Sequence, residues 1–256
     1  ELLDPSGAVP LKELLRRRPG SGALVRAMAR AGLLVLEERP VYRDPFGDAI
    51  LPDTPPTPTT EQAAALEAIA GQAAGFAAFV LEGVTGSGKT EVYLRLAAEV
   101  MARGRTVLVL VPEIALIAQM EQRFRARFGE RVAVLHSGLS RGERLDQWTR
   151  LQRGEAPIAI GARSAVFAPL VGLGLIVVDE EHDSSYKQDR GLRYNARDLA
   201  VVRARLAACP VVLGSATPSI QSLYHVRKGR YRRVPLTTRV AARPLPQVEV
   251  VDLRQL

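Results

Sequence analysis

FVLEGVTGSGKTEVYL, from Phe79 to Leu94, is the stretch whose reading decides the fold. An apolar run (Phe79, Val80, Leu81) enters Gly83-Val84-Thr85-Gly86-Ser87-Gly88-Lys89-Thr90, and an amphipathic run from Glu91 through Val100 leaves it. Strand, glycine-rich loop, helix is the context in which G-x-x-x-x-G-K-[ST] specifies a phosphate cradle. The glycines let successive N–H groups turn toward an anion, and a helix starting near Lys89 adds its positive end. Lys89 then reaches the terminal phosphates, and the Thr90 hydroxyl can ligate Mg²⁺. A glycine turn arising by chance would match the loop without these flanks.

Composition sets the bounds around that loop. The chain has 256 residues, enough for one large domain or two, and 47% hydrophobic content supplies a packed core. No apolar run approaches the roughly 20 residues of a membrane span, so no membrane partner is expected. Glu1-Leu2-Leu3-Asp4 has neither a basic n-region nor a cleavage site, and reads as a cut inside a longer protein. Cys209 is the single cysteine, which excludes an intrachain disulfide and a multi-cysteine zinc site. It precedes Val211-Val212-Leu213 and reads as a small buried hydrophobe, and the cytoplasm is the expected compartment. Net charge is +8, which points to a polyanionic partner. Only four of the 35 basic residues are lysine, a ratio that GC-rich coding explains as well as phosphate recognition does.

Residues 1–44 read as the remnant of a winged helix whose first helix was lost with the cut. One helix is predicted over Leu11–Arg18 and another over Ser21–Ala31, with Leu24, Val25, Met28 and Leu33 near one face. Two short strands, Leu34–Glu38 and Val41–Arg43, would form the wing. Arg26 and Arg30 could face phosphates, or the unit could serve protein contacts; the pattern leaves both open. Pro45, Pro52, Pro55, Pro56 and Pro58 make residues 45–59 an extended linker. Thr60 then caps a helix from Glu61 to about Ala70, with Gln62 in its first turn.

Beyond the loop, strands and helices alternate. Strands are predicted at Thr106–Val111, Val132–Leu135, Ile158–Ile160, Leu175–Val178 and Val211–Leu213. Helices are predicted at Glu113–Arg127, Arg141–Gln152, Asn195–Ala207 and Ser219–Val226. Leu145, Trp148 and Leu151 are spaced for a core face. The fold class is therefore α/β, a parallel sheet covered on both faces, with ligands beyond the carboxyl ends of its strands. There Leu175–Val178 delivers Asp179-Glu180-Glu181-His182. An Asp so placed can hold Mg²⁺, and an adjacent Glu can orient and deprotonate water. Alone this would read as a solvated acidic turn. Gly214-Ser215-Ala216-Thr217-Pro218 comes after the next strand, either as a sensor of the phosphate site or as a capped helix start.

The phosphate loop, DEEH and GSATP, in this order, resemble the first motor lobe of a superfamily 2 helicase, a RecA-like lobe. The likeness is closer to the PriA family of primosomal replication-restart helicases (primosomal protein N′). It rests on GVTGSGKTEVYL (Gly83–Leu94), VPEIALI (Val111–Ile117), LHSGLS (Leu135–Ser140), IGARSAVFAPL (Ile160–Leu170), VVDEEHDSSYKQ (Val177–Gln188), RYNARDLAVVRA (Arg193–Ala204) and GSATPSIQS (Gly214–Ser222). The resemblance implies that Lys89, Asp179 and Glu180 are catalytic. It implies that ATP is held by Gln62, reading adenine, and by Gly83, Thr85, Gly86, Ser87, Gly88, Lys89 and Thr90, with Glu180, His182 and Thr217 completing the site. Mg²⁺ would sit on Thr90 and Asp179. DNA would be tracked by Pro112, Glu113, His136, Arg163 and Ser164. An aromatic-rich basic loop would add Tyr186, Lys187, Arg193 and Tyr194, stacking exposed bases.

On this resemblance residues 60–233 are the ATP-binding lobe and 234–256 begin the connection to a second lobe. That lobe, its arginine finger and the family's zinc modules are expected in the rest of the parent protein. No Q-x-x-G-R-x-G-R pattern occurs here, and Ala162 and Asn195 stand where Thr and His are expected. The implied function is an ATP-dependent 3′→5′ DNA helicase acting in replication restart on single-stranded and forked DNA. Primosome proteins and single-strand-binding protein are the implied partners. Another superfamily 2 translocase, or a DNA-binding scaffold that keeps the nucleotide site without hydrolysis, are the rivals. The +8 charge predicts weak DNA binding that is indifferent to sequence and falls steeply with salt. Affinity at two salt concentrations checks this; salt-insensitive binding, or preference for one duplex sequence, would point to base readout.

Overall fold

The computed structural model describes residues 9, 11–36, 42–43, 50–72 and 75–240. They fall in two compact units, Glu1–Val41 and Tyr42–Leu256. In the first unit α1 spans Leu11–Arg17 and α2 spans Gly22–Arg30. Of the four apolar residues expected on one face, Val25 alone is buried; Leu24 and Leu33 are 61% and 72% exposed. Leu34–Leu36 carries no strand, and the remainder of the expected wing lies mostly outside the described residues.

In the second unit, residues 50–59 have neither helix nor strand, yet polar contacts tie them down. The Asp53 N–H donates to Ala126 O at 2.8 Å, and Arg127 pairs with Asp53 at 2.6 Å and with Glu91 at 3.0 Å. Next come α3 (Thr60–Ala70), β1 (Ala77–Gly83), α4 (Lys89–Ala102), β2 (Thr106–Leu110) and α5 (Ile114–Phe128). Then come β3 (Val132–Leu135), α6 (Arg141–Gln152), β4 (Ile158–Gly161) and β5 (Leu173–Val178). The chain goes on through β6 (Lys187–Gln188), β7 (Tyr194–Asn195), α7 (Ala196–Leu206), β8 (Pro210–Ser215), α8 (Ile220–Arg227) and β9 (Arg232–Leu236). Seven strands make one parallel sheet in the order β3-β4-β2-β5-β8-β1-β9, while β6 and β7 form a separate antiparallel ribbon.

Six of the seven strands are near-continuously buried because they are covered on both faces; β9 is the exception. Val107, Val109, Leu175, Val177 and Val212 pack on one side with Ile69, Tyr93, Leu96 and Phe124. Leu108, Leu110, Ile176, Val178, Val211 and Leu213 pack on the other, with Ala196, Ala200, Ala204 and Cys209. The alanines recur every fourth residue along α7, so its backbone approaches the sheet closely. Burial pushes the Cys209 thiol up to about 11, so it is an inert packing residue.

α6 corrects the sequence reading. Leu151 is buried as expected, but Leu145 and Trp148 are exposed, and the helix buries Gln147 and Arg150 in their place. β3 is an edge strand, and its unpaired backbone has to be answered by something other than another strand. Gln147 Oε1 accepts from Val134 N at 3.3 Å, and Arg150 donates to Val132 O at 3.4 Å and to Glu130 O. Sequence reading missed β9, since Arg232, Arg233 and Pro235 leave it only two apolar residues. As an edge strand it tolerates the proline. Arg150→Ala should lower unfolding stability by about 1–3 kcal/mol, because buried carbonyls lose a charged donor. A denaturation midpoint equal to the parent's would show that water replaces the guanidinium.

Candidate nucleotide site and nucleic-acid face

The loop after β1 is held by contacts from α3 and from the chain after β9. Thr59, rather than Thr60, caps α3: Gln62 N donates to its hydroxyl at 3.2 Å and Gln62 Oε1 accepts from Thr59 N at 3.0 Å. Gln62 Nε2 then donates to Ser87 O at 3.0 Å. Both ends of the amide are engaged and the side chain is buried, so Gln62 fastens α3 to the loop. The resemblance assigns adenine to this same amide. Gly88 has φ +82°, and a side chain there would overlap the Gln62 amide. Val240 N also donates to Gly86 O at 3.0 Å.

Lys89 opens α4 with Thr90 beside it, both half-buried. Lys89 Nζ donates to Gly83 O at 2.9 Å and lies 3.6 Å from Glu180 Oε1. The loops after β1 and β5 therefore converge on one cleft. Glu180 takes a left-handed backbone at φ 43°, which strains a residue bearing a Cβ and turns its carboxylate toward Lys89. Asp179 is largely buried, and burial with the neighbouring Glu180 charge raises its carboxyl above the usual range. The Tyr93 hydroxyl donates to Asp179 Oδ1 at 2.9 Å and opposes that rise, as does Lys89. Burial, with the Asp179 charge, pushes the Tyr93 phenol well up, so it stays a donor.

His182 Nδ1 lies 2.7 Å from Ser215 Oγ and 3.6 Å from Glu180 Oε2, and Thr217 N donates to Ser215 Oγ at 2.9 Å. The turn after β5 thus meets the end of β8 through His182 and Ser215, with exposed Thr217 at the rim. Glu181, given no role from sequence, is fully buried as a side chain. It accepts from Ser219 N at 2.7 Å, Ser222 Oγ at 2.9 Å, Ser219 Oγ at 3.1 Å and Arg197 Nη1 at 3.2 Å. No pattern marked this pair, because an Arg in an amphipathic helix reads as solvated.

The residues expected to meet DNA separate into two groups. Glu113, Ser164, Lys187 and Arg193 are exposed, His136 and Tyr194 are half-buried, and Pro112 is buried. Burial pushes the His136 imidazole down. Tyr186 is corrected: it is 1% exposed and its hydroxyl donates to Asp179 O at 2.6 Å, so it is no platform for a base. Tyr194 instead packs edge-on against Phe167 at 5.2 Å between ring centroids. Arg163 donates to Ser185 O at 3.0 Å and Lys187 O at 2.6 Å, bracing the basic loop from within. Ser185 Oγ adds a bond to Pro112 O at 3.0 Å.

The residues present fit a nucleotide with a divalent cation. Ser87 Oγ is buried without a partner among the described residues, and a Cβ on Gly83 would stand 2.5 Å from it. Backbone N–H groups, the start of a 14-residue helix and Lys89 supply positive potential for phosphates. Thr90, Asp179 and Glu180 supply the hard oxygens such a cation needs. Among the described residues no helix is long and apolar enough to cross a membrane, and no group of three or more His, Cys, Asp or Glu is placed to hold a metal.

The DEAD/DEAH box helicase family model matches residues 59–226. The chain belongs to that family. Among curated relatives, the chain is 46% identical over 256 residues to the replication restart protein PriA of Bacillus subtilis, covering 98% of this chain and 32% of that protein. It is 53% identical over 193 residues to the Treponema pallidum protein of the same name, covering 75% of this chain and 29% of that one. The chain spans about a third of the length of the curated relatives it matches. Among solved structures, RecG bound to a three-way DNA junction superposes with a TM-score of 0.56 at 21% identity, over 74% of this chain and 25% of that one. The UvsW helicase of bacteriophage T4 gives 0.52 at 13% identity, over 86% and 78%. These two likenesses establish the fold alone, a helicase-type α/β lobe.

Two adjacent glutamates should respond in opposite ways. Glu181→Ala takes a buried acceptor from Ser219, Ser222 and Arg197, which keeps Asp198 at 2.9 Å, and should cost about 1–3 kcal/mol of unfolding free energy. Glu180→Gly relieves the left-handed strain and should leave the chain at least as stable, although it removes the carboxylate nearest Lys89. Urea denaturation of both variants checks the contrast; equal losses would mean the two side chains share one structural role.

Proposed function

We propose that this chain is the nucleotide-binding first motor lobe of an ATP-dependent 3′→5′ DNA helicase acting in replication restart. The observation that carries this reading is the 3.6 Å approach of Lys89 Nζ to Glu180 Oε1 across the loops after β1 and β5. Gly83, Thr85, Gly86, Ser87, Gly88, Lys89 and Thr90 receive the phosphates. Lys89 exchanges its bond to Gly83 O for the terminal phosphate oxygens. Thr90 and Asp179 would hold Mg²⁺, which would supply positive charge against the charge that develops on the phosphates. Glu180 Oε1 takes a proton from the attacking water, and His182 with Thr217 relays the state of the cleft to the end of β8. Gln62 reads adenine only after exchanging its bonds to Thr59 and Ser87.

The DNA face combines Pro112, Glu113, His136, Ser164, Lys187, Arg193 and Tyr194, with Arg163 as its internal brace. Single-stranded and forked DNA is the substrate, and primosome proteins and single-strand-binding protein are the partners of the whole protein. Its zinc sites lie outside this chain, and it works in the cytoplasm. The net charge of +8 and the exposed cations of the 187–193 loop support a polyanion, and a structural neighbour was solved on a DNA junction.

The test separates the site from the machine. Labelled ATP should bind the chain and lose affinity on Lys89→Ala; equal affinity would remove the phosphate assignment. Hydrolysis should stay near background even with DNA, because an arginine finger is worth about 10³–10⁵ in rate and is expected in the second lobe. A longer chain carrying that lobe should show DNA-stimulated turnover, and Glu180→Gln in it should bind without hydrolysing. Substantial Glu180-dependent turnover by residues 1–256 alone would place the finger's work inside this lobe.

A further inference from the structure

We propose that Tyr93 is a positioning residue for the metal-holding carboxylate of Asp179, a role that rests on the reading of Asp179 as a magnesium ligand. Tyr93 lies one helical turn after Lys89 on α4, so the two side chains leave the same face of that helix toward the sheet edge. Its ring is wholly buried, and its hydroxyl donates to Asp179 Oδ1 at 2.9 Å. β8 is shaped to admit that hydroxyl. After the branched Val211, Val212 and Leu213, the strand changes to Gly214, where a Cβ would overlap the Tyr93 hydroxyl and lie 3.5 Å from Asp179 Oδ1. The space a side chain would occupy on β8 is taken by a phenol from α4.

Asp179 is also held through its backbone, since Tyr186 donates to its carbonyl at 2.6 Å. Two tyrosines from different elements therefore fix one residue, Tyr186 its main chain and Tyr93 its carboxylate. A carboxylate fixed in this way gives up little rotamer freedom when a cation arrives. Losing such an orienting partner typically costs 10–100-fold in metal affinity. A tyrosine that merely filled the core would have no use for an oxygen at this spot, because a phenylalanine packs the same ring without the Gly214 vacancy. The hydroxyl also joins the helix that begins with Lys89 to the residue that follows β5, so one bond links the two halves of the cleft.

The experiment titrates fluorescent ADP against the 256-residue chain, first in EDTA and then at rising Mg²⁺. Tyr93→Phe should keep its metal-free ADP affinity within about two-fold and need about 10-fold more Mg²⁺ for half of the metal-dependent gain. A parental Mg²⁺ midpoint in Tyr93→Phe overturns the proposal, as does an equal loss of affinity with and without Mg²⁺, which is the signature of a packing role. Thermal unfolding without ligand is measured alongside. If the phenylalanine variant loses its fold, Tyr93→Met fills the space with a flexible apolar chain and is held to the same two outcomes. Lys89→Ala and Asp179→Asn separate this idea from the reading beneath it. Undiminished ADP affinity in Lys89→Ala removes the nucleotide assignment. An unchanged Mg²⁺ requirement in Asp179→Asn removes the metal assignment, and the role of Tyr93 with it.

Discussion

A carboxylate with no exposed surface must find donors on every side, and Glu181 does so by drawing three elements together. Arg197 at the start of α7, and Ser219 and Ser222 at the start of α8, converge on it from opposite directions. A buried charge stripped of its partner is costly, so this arrangement forms as a unit or not at all. Glu180 can then be held at φ 43° against its steric preference, because the residue after it is pinned. The strained glutamate and the anchored one are consecutive, and the bonds of the second offset the strain of the first.

The tyrosines work in the same way. Tyr93 and Tyr186 bury their rings in the core and direct their hydroxyls to Asp179. Arg163 directs its charge to two carbonyls of the basic loop. In each case a polar group from the hydrophobic interior, or its margin, reaches the carboxyl edge of the sheet. Tyr93 is rooted in α4, while Tyr186 and Arg163 come from short 3₁₀ turns in the segments that connect the strands.

Much of this was legible beforehand where the local signal was strong. Apolar runs bounded by glycine and proline located β2, β3, β4 and β5, and the phosphate loop announced β1 and α4 by its flanks. The failures have physical causes. Trp148 and Leu145 have helical spacing, but an edge strand needed polar partners more than it needed apolar cover, and Gln147 and Arg150 turned inward. β9 carries too little apolar pattern for any periodicity to reveal it. Tyr186 lies in a basic, polar stretch where an aromatic reads as exposed, and only the fold shows that its hydroxyl is needed beneath Asp179. Gln62 carries two compatible signals, a capping box and a ligand contact, and sequence cannot say which the amide satisfies at a given moment.

The bond between Val240 and Gly86 has a mechanical meaning. After β9 the chain turns back along the first turn of α3, where Thr237 and Thr238 bond Glu61, and Val240 N reaches Gly86 O. The strand leaving the sheet and the loop beneath it therefore share an amide. A pull transmitted along the polypeptide past residue 240 would arrive at the phosphate loop through that amide, without crossing the hydrophobic core. Residues 237–240 are thereby tethered twice, at Glu61 and at a glycine of the phosphate loop.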